Sequence, residues 1–296
     1  QGGAGVWPAL PARQSVLSLP HTPSMGSIRA YVIHHNDPAR CRQRLAIAEL
    51  LAELQIPVQE ISEQPPLLPL PSGWRGRWLL LGRVQARTAA DFQQRRRRWP
   101  RRALALRCRQ LWVQGKAVLE LMRAPWPRLE PLWRHLQVEA LVSAKHIRAW
   151  RQARQEGADL ALVFEDDVEC EADSRMRLET LLRALPQQEQ VYVDLAGGLA
   201  LAEVLPLDQV QERGGPAELW LRGVHTNTAC GYLVSAPLLR RWLQALDLQP
   251  ALALLPIDHL INRASAQPAV QACSGHWQEP PFRHGSFCGT ARSWQQ

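Results

Sequence analysis

The chain has 296 residues, 46% of them hydrophobic, and carries a formal net charge of +8 at pH 7. This length and apolar content suffice for one large α/β domain or two small ones, and no stretch approaches the roughly 18–20 uninterrupted apolar residues of a membrane span. The six cysteines are scattered and form no CxxC pair, which argues against a zinc site. Without a secretory signal a disulfide framework is not expected either, and a reducing cytoplasm is favoured.

Residues 1–25 do not follow the signal-peptide order of a charged start, an apolar middle and a small-residue cleavage site. They contain Gly, Pro and Ser, and Met25 is followed almost at once by a strand-like segment. We expect residues 1–25 to be a disordered leader, or the result of a translation start assigned too far upstream, and we expect the folded part of the chain over 26–296.

The first predicted elements are a strand and a helix. Residues Ile28–Ile33 are typical of a strand, and Asp37-Pro38 then supplies an N-cap and a first helical residue. The helix is predicted to run to about Leu54. Three arginines lie near its start: Arg40, Arg42 and Arg44. This order resembles the opening βα unit of a nucleotide-binding sheet.

The segment 62–137 has no pattern that assigns it a role. Four prolines within 64–76 predict a connection, and a cluster of arginines follows. The cluster comprises Arg95, Arg96, Arg97, Arg98, Arg101, Arg102, Arg107 and Arg109, with Trp99 inside it and Trp112 just after it. It is either a docking patch for nucleic acid, anionic lipid or a phosphorylated glycan, or a solvated face that affects only solubility. No nucleic-acid-binding motif accompanies it, so nucleic acid is the least favoured partner.

A helix is predicted from Val138 to a stop at Gly157, and His146 lies on its apolar stripe. A histidine in that position is more often a packing residue than a ligand or a base. The helix directly precedes an apolar strand that ends in acidic residues, however, so a functional or site-supporting role for His146 stays open.

This strand is the most informative part of the sequence. Five consecutive apolar residues, 160–164, run directly into Glu165, Asp166 and Asp167. A run that is apolar at every position predicts a strand buried on both faces, and open α/β sheets bind ligands at the carboxyl ends of such strands. Three adjacent carboxylates repel one another, so a metal site is favoured over a solvated acidic turn.

The rest of the chain continues the alternation of strands and helices. A strand is predicted over 190–195, and a polar stretch leads into a second strand that ends at Ser235. Ser235 is predicted to cap a helix, and a further short helix begins near Pro256 with Asp258 in its first turn. Asp258 is therefore either a helix-start charge or a functional carboxylate. The C-terminal stretch 278–286 is polar and stiffened by prolines.

Five motifs follow one another in a specific order: Tyr31-Val32-Ile33, His146…Trp150, Val163-Phe164-Glu165-Asp166-Asp167-Val168, Thr228-Ala229-Cys230-Gly231-Tyr232-Leu233-Val234-Ser235 and Pro256-Ile257-Asp258. Together they resemble glycosyltransferase family 25, which includes galactosyl- and glucosyltransferases of lipopolysaccharide biosynthesis and the collagen galactosyltransferases. The resemblance covers 28–61 and 138–290 and leaves 62–137 unexplained. Glu-Asp-Asp-Val after an apolar strand is its most specific element.

The resemblance implies a GT-A fold, that is, one α/β domain with a Rossmann-like, mostly parallel sheet flanked by helices. The unassigned stretch 62–137, rich in Arg and Trp, is then an insertion in this domain. The resemblance also implies a UDP-sugar donor, commonly UDP-galactose or UDP-glucose, a divalent metal such as Mn²⁺ and inversion at the anomeric carbon. The acceptor is then a glycan or lipid-linked glycan in lipopolysaccharide or surface polysaccharide synthesis. The expected location is the cytoplasm, and peripheral contact between 95–109 and the anionic inner face of the membrane stays open.

The family pattern also assigns roles near the acidic triplet. Asp167 is the first candidate for a metal ligand, Glu165 is the second, and Asp166 is expected nearer the donor. A hard cation bound through these oxygens offsets the charge that develops as the sugar diphosphate leaves. Arg40 and Arg44 are expected to approach the nucleotide, because arginine suits phosphate recognition.

Inversion in one displacement needs a general base for the acceptor hydroxyl. Asp258 is the first candidate because it matches the family's Pro-x-Asp position, with Asp194 and His146 behind it. Thr228 and Tyr232 are expected to line the sugar or acceptor pocket.

The chain departs from the family pattern at two places. Lys145-His146 stands where the family usually has Ser-His, and His34-His35 follows the first strand where the family usually has Asn-Leu. The first departure removes a serine that could form hydrogen bonds, and the second changes the expected contact with the donor base. Neither affects the acidic triplet.

Two other functions stay open. A non-catalytic protein that binds nucleic acid or anionic lipid through 95–109 would do so in a salt-sensitive manner. A metal-dependent phosphotransferase or nuclease would use the same carboxylates. This last function ranks lowest, because the chain lacks a Gly-rich phosphate loop and a second spaced acidic pair.

Overall fold

The computed structural model describes most of the chain after residue 26. The described residues are 27–62, 65–185, 189–197, 210–211, 217, 219–226, 228–266, 272–277 and 279–285. Residues 1–25, expected to be a disordered leader or the result of a translation start assigned too far upstream, therefore lie outside the described residues.

Strands and helices alternate along the described ranges. The strands are β1 (Ile28–Ile33), β2 (Val58–Ile61), β3 (Leu160–Glu165), β4 (Val168–Cys170), β5 (Val191–Asp194), β6 (Val210–Gln211), β7 (Leu219–Arg222), β8 (Gly231–Ser235), β9 (Cys273–His276) and β10 (Phe282–His284). The α-helices are α1 (Cys41–Glu53), α2 (Gly73–Arg98), α3 (Ala103–Arg123), α4 (Trp126–Gln155), α5 (Ser174–Ala184), α6 (Ala236–Leu248) and α7 (Ile257–Ala264).

Among the described residues, eight strands form one sheet in the order β2-β1-β3-β8-β5-β9-β7-β6. β1 pairs in parallel with β2 and β3, and β5 pairs in parallel with β9. β8 lies antiparallel between β3 and β5, while β7 lies antiparallel between β9 and β6. Most of the strands therefore run in one direction, and the predicted α/β class with a mostly parallel sheet is confirmed.

β3 is buried on both faces, as its continuous apolar sequence predicts. Ala161 and Val163 join a core formed with α4, α6 and α7. Leu160, Leu162 and Phe164 join a second core formed with α1 and α5. Because successive side chains of a strand point to opposite faces, helices cover both sides of the sheet.

The segment 62–137, to which the sequence assigned no role, is mainly helical. α2 and α3 run antiparallel to each other, since Arg77 donates to the main-chain oxygen of Leu121 and Gln85 donates to that of Gln114. With the first half of α4 they enclose a separate small core of Leu70, Leu80, Leu81, Leu121, Leu129 and Leu136. No helix within the described ranges combines the length and the apolar character needed to cross a bilayer.

Several predicted boundaries hold, with differences in detail. α1 begins after a 3-10 turn at Pro38–Arg40, in which Asp37 Oδ1 accepts a hydrogen bond from Ala39 N at 2.9 Å. Ser235 occupies the N-cap of α6, but its Oγ accepts a hydrogen bond from Val191 N at 2.9 Å and so ties α6 to β5. The polar C-terminal stretch contains β10, which pairs antiparallel with β4.

Candidate functional site

The candidate site lies at one edge of the sheet, where the ends of four strands meet. β1, β3 and β5 deliver their carboxyl ends to this edge, and the antiparallel β8 delivers its amino end. The register places Glu165 beside Ile33 and Asp194 beside Tyr232. The residues that follow these strands therefore converge, at the kind of edge where open α/β sheets bind ligands.

Asp166 forms a buried ion pair with Arg40. Arg40 Nη1 donates to Asp166 Oδ1 at 2.6 Å, and the main-chain N–H of His35 donates to Oδ2 at 3.1 Å. Burial lowers the pKa of Arg40, but the hydrogen bond and the charge of Asp166 outweigh burial and hold that pKa above its ordinary value. The arginine expected near the nucleotide is thus bonded to the acidic triplet itself.

Glu165 ends a hydrogen-bond chain that runs into the core. Trp150 Nε1 donates to Tyr232 Oη at 2.8 Å, and this oxygen lies 2.9 Å from His146 Nδ1. The other ring nitrogen, Nε2, lies 3.1 Å from Glu165 Oε1. Because an indole N–H can only donate, the phenol hydrogen of Tyr232 is left to donate to Nδ1. The network therefore assigns the ring hydrogen to Nε2, which donates to Glu165.

Burial favours the uncharged forms of both Glu165 and His146. Burial, reinforced by the charge of Asp167, raises the pKa of Glu165 to about 8. Burial and the charge of Lys145 lower the pKa of His146 to about 3. His146 therefore stays neutral and orients Glu165 instead of neutralising it as a cation.

Asp167 contacts β10 and the residue that follows it. Its Oδ2 lies 3.6 Å from His284 Nδ1, and its main-chain oxygen accepts a hydrogen bond from Gly285 N at 2.8 Å. β10 brings His284 to this position because it pairs with β4, which directly follows the triplet. The sequence analysis did not identify His284. The signal that could have pointed to it is its position within a polar stretch stiffened by prolines.

The carboxylates suit a hard cation that is shared with a phosphate-bearing substrate. No group of three or more His, Cys, Asp and Glu side chains in the described part of the chain is arranged to hold a metal by itself. Glu165 and Asp167 nevertheless interact electrostatically, and burial together with this repulsion raises the pKa of Glu165. Cations such as Mg²⁺ commonly take one or two carboxylates and complete their coordination with substrate phosphates. Glu165 and Asp167 are therefore the residues that could hold such a cation together with a phosphate-bearing ligand.

Asp194 lies at the same edge, at the end of β5. Its Oδ1 accepts a hydrogen bond from Ala196 N at 3.2 Å, and its Oδ2 lies 4.0 Å from Nδ1 of His276, which sequence reasoning did not identify. Burial raises the pKa of Asp194 to about 7, because the backbone hydrogen bond only partly offsets the lost hydration. A Cβ atom at Gly197 would lie 3.3 Å from Oδ2, so glycine keeps space beside this carboxylate.

Lys145 supplies a second buried cation near the triplet. Its Nζ donates to the main-chain oxygen of His34 at 2.6 Å and lies 3.2 Å from His35 Nδ1. Burial lowers the pKa of Lys145 to about 8, while the charges of Asp166 and Glu165 act in the opposite direction. The ammonium group is therefore mostly charged at pH 7.

Three further predicted residues make other contacts. Arg44 Nη1 lies 2.8 Å from His34 Nδ1, and its Nε lies 3.6 Å from Glu60 on β2. Thr228 is half-buried, and its main-chain oxygen accepts a hydrogen bond from the Thr226 hydroxyl at 2.8 Å. Tyr232 is fully buried behind Glu165, as a member of the hydrogen-bond chain described above.

Asp258 lies in the first turn of α7, as predicted, and is half-buried. Burial raises the pKa of Glu139 on α4, and the negative charge of Asp258 adds to this effect. Arg87 and His135 lie 2.9 and 3.2 Å from Glu139 Oε1. Since Glu139 precedes His146 by two helical turns, about 10 Å along α4, the described interactions connect Asp258 with Glu139 and not with the triplet.

No protein-family model matches the chain, and no curated protein matches it.

Proposed function

We propose that the chain is a metal-dependent inverting glycosyltransferase with a GT-A fold, which transfers galactose or glucose from a UDP-sugar to a glycan acceptor. The observation that carries this proposal is the buried triplet 165–167 at the carboxyl edge of a mostly parallel sheet, with Arg40 bonded to it. The order of motifs that resembles family 25 supports the same function. The acceptor is then a glycan or lipid-linked glycan of lipopolysaccharide or surface polysaccharide, extended in the cytoplasm.

The donor diphosphate is expected to bind beside the fixed positive charges. Among the described side chains, Arg40 and Lys145 are the buried cations next to the triplet. Arg44 is partly buried, and its Nη1 lies 2.8 Å from His34 Nδ1. A guanidinium matches phosphate oxygens in both charge and geometry, so Arg44 is a further candidate for a phosphate contact.

Asp167, together with Glu165, would hold the divalent cation. When bound, the cation supplies neutralisation of the charge that builds up on the departing diphosphate. The protein keeps the two carboxylates in place, because His146 orients Glu165 and the main-chain N–H of Gly285 holds the backbone of Asp167, whose Oδ2 lies 3.6 Å from His284 Nδ1.

We assign the general base to Asp194 ahead of Asp258. Asp194 lies at the same strand edge as the triplet, and its pKa of about 7 suits proton transfer near neutrality. Its carboxylate would accept the proton of the acceptor hydroxyl while the hydroxyl oxygen attacks the anomeric carbon. His146 is not assigned this role, because its ring nitrogens are engaged by Tyr232 and Glu165.

The function is tested by incubating the purified protein with a panel of UDP-hexoses, with and without Mn²⁺, and measuring the release of UDP. We expect release from UDP-galactose or UDP-glucose that requires the cation, and a loss of about 100-fold or more in Asp167→Asn. Asp173→Asn changes a half-exposed carboxylate at the start of α5 and serves as the matched control, with turnover unchanged. Absence of turnover across the panel, or wild-type turnover in Asp167→Asn, overturns the proposal.

The choice of base is tested separately with Asp194→Asn and Asp258→Asn. We expect Asp194→Asn to lower transfer to an acceptor by about 100-fold or more, while the KM for the donor changes little. If Asp258→Asn shows that loss and Asp194→Asn does not, the base is Asp258.

A further inference from the structure

We propose that α3 docks the protein onto an anionic membrane surface, with the apolar centre of its exposed face inserted among the lipid headgroups. This docking face consists of Leu104, Leu111, Trp112 and Leu119 at its centre, with Arg107 and Arg109 at its margins. The proposal does not depend on the proposed enzymatic function.

The positive charge of the chain is concentrated in α2 and α3. Residues 73–123 contain fourteen Arg and Lys residues but only two acidic residues, Asp91 and Glu120. Their net charge is therefore +12, whereas the whole chain carries +8. The rest of the chain is net negative, so the field that attracts an anionic surface comes from this helix pair.

Large apolar side chains project from α3 into solvent. Leu104 is 77% exposed and Leu111 is 64% exposed. Trp112 and Leu119 are 66% and 56% exposed. At 3.6 residues per turn, these four side chains lie within an arc of about 100° on the helix surface. A contiguous exposed apolar stripe of this kind marks an interaction surface.

Cations border the stripe on both sides. Arg107 is exposed and lies about 40° beyond one margin of the stripe, and Arg109 is exposed and lies about 60° beyond the other. Lys116 lies on the same side as Arg109, with its Nζ 5.7 Å from the centre of the Trp112 ring. An apolar stripe between basic margins is typical of helices that lie in the plane of a membrane interface, where tryptophan is favoured.

A groove bordered by the docking face is the place that we assign to a lipid headgroup. It has a volume of about 520 Å³ and lies between the end of α2 and α3. Arg96 and Arg107 supply positive charge to its lining, and Leu104 and Leu111 supply apolar surface. This combination suits a phosphate group attached to acyl chains.

A bilayer fits the docking face better than the other available occupants. Nucleic acid would pair with the arginines but would leave the leucines in water, whereas an anionic bilayer accepts both. A second copy of the chain would bring two helix pairs of net charge +12 together at a symmetric contact, which their repulsion opposes.

The test measures the partition of the full-length protein onto vesicles of phosphatidylcholine, alone or mixed with phosphatidylglycerol, by co-sedimentation. We expect binding to the anionic vesicles, a blue shift of the tryptophan fluorescence, and a loss of about tenfold or more in the partition coefficient of Leu104→Glu/Leu111→Glu. Leu248→Glu/Leu254→Glu introduces the same two charges at leucines that are 68% and 45% exposed, at the end of α6 and just after it, and this matched control should bind like the wild type. Circular dichroism establishes that each variant is folded.

The charge contribution is tested with Arg107→Gln/Arg109→Gln, which should lower the partition coefficient by about tenfold or more. Arg175→Gln/Arg183→Gln removes two exposed arginines from α5 and should have little effect. The proposal is overturned if the wild type does not bind anionic vesicles, or if the leucine variant binds them like the wild type. Two further outcomes overturn it. In the first, the wild type forms a dimer that covers α3, and Leu104→Glu/Leu111→Glu does not form this dimer. In the second, duplex DNA displaces the wild type from vesicles and binds Leu104→Glu/Leu111→Glu as well as it binds the wild type.

Discussion

Lys145 Nζ donates a hydrogen bond to the main-chain oxygen of His34 at 2.6 Å and lies 3.2 Å from His35 Nδ1. These residues form the two places where the chain departs from the motifs that it resembles. The departures are therefore in direct contact, although 110 residues separate them along the chain. A lysine here adds a buried positive charge that a serine lacks, and the residues that follow β1 hold this charge beside the acidic triplet.

Replacing Lys145 by methionine keeps the length of the side chain and removes its charge. We expect the KM for the UDP-sugar to rise by about tenfold with a smaller change in kcat, because the diphosphate loses one cation in the ground state and the transition state alike. Steady-state kinetics at varied donor concentration measures this effect. Arg151→Met removes an exposed cation from the same helix and should leave KM unchanged. An unchanged KM in Lys145→Met would limit Lys145 to tying α4 to β1.

The buried ion pair between Arg40 and Asp166 is expected to be essential to the fold. Arg40→Met leaves the Asp166 carboxylate buried beside fewer positive charges, so the free energy of unfolding should fall by about 3–5 kcal/mol. Urea denaturation measures the loss, and the double variant Arg40→Met/Asp166→Asn should recover part of it. Arg183→Met breaks an exposed pair with Glu179 and should cost less than about 0.5 kcal/mol. An equally small cost for Arg40→Met would contradict this account.

The sequence was sufficient to predict an element of the fold where the local pattern of apolar residues coincides with the burial of that element. The run 160–164 is apolar at every position because β3 is covered on both faces, and the same run located the triplet at the sheet edge. The helices α2 and α3 escaped prediction because arginines and exposed leucines interrupt the apolar period of 3.6 residues. His276 and His284 escaped for another reason. They reach the site through pairing of β9 with β5 and of β10 with β4, and one sequence does not reveal pairing between distant segments.

Tyr232 links the core to Glu165 through His146, and Tyr232→Phe should break this link. The variant leaves Trp150 Nε1 and His146 Nδ1 without their shared partner, so the free energy of unfolding should fall by about 1–3 kcal/mol. Nitrogen-15 NMR of His146 should show a hydrogen on Nε2 in the wild type and a mixture of tautomers in the variant.

The matched control for this prediction is Tyr192→Phe, which removes a buried hydroxyl that donates to Thr226 Oγ1 at 3.0 Å. This control should lose a similar amount of stability and leave the tautomer of His146 unchanged. A wild-type ring hydrogen on Nδ1 would reverse the directions assigned to the two hydrogen bonds of His146.

Asp194 gives the stability of the protein a specific pH dependence. Its pKa is raised from 3.8 to about 7 in the folded state, so between these values the folded chain holds a proton that the unfolded chain has released. The free energy of unfolding therefore falls as the pH rises through this window, by at most about 4 kcal/mol. Asp194→Asn removes this contribution.

Urea denaturation of the wild type and of Asp194→Asn at about pH 5 and about pH 8 measures the effect. The stability of the variant relative to the wild type should increase between these two conditions and change little at higher pH. A difference that is independent of pH would mean that Asp194 ionises near its ordinary pKa, which would also weaken its assignment as the base.

The arrangement of Glu165 and Asp167 predicts that the metal and the nucleotide bind together. Two carboxylates leave most coordination positions of Mn²⁺ open, and the phosphate oxygens of UDP are suitable ligands for them. Linkage requires each ligand to raise the affinity for the other by the same factor, which we expect to be about tenfold or more. Calorimetric titrations of Mn²⁺ and of UDP, each alone and in the presence of the other, measure both sides of this cycle.

Asp167→Asn distinguishes this coupling from simple charge attraction. The substitution should abolish the mutual enhancement, because it removes the first candidate ligand, whereas Asp173→Asn lowers the negative charge by the same amount and should preserve it. UDP alone should bind Asp167→Asn at least as well as the wild type, since a negative charge near the diphosphate has been removed. If Mn²⁺ binds the wild type equally well with and without UDP, the carboxylates form a complete metal site of their own, and the donor does not share the cation.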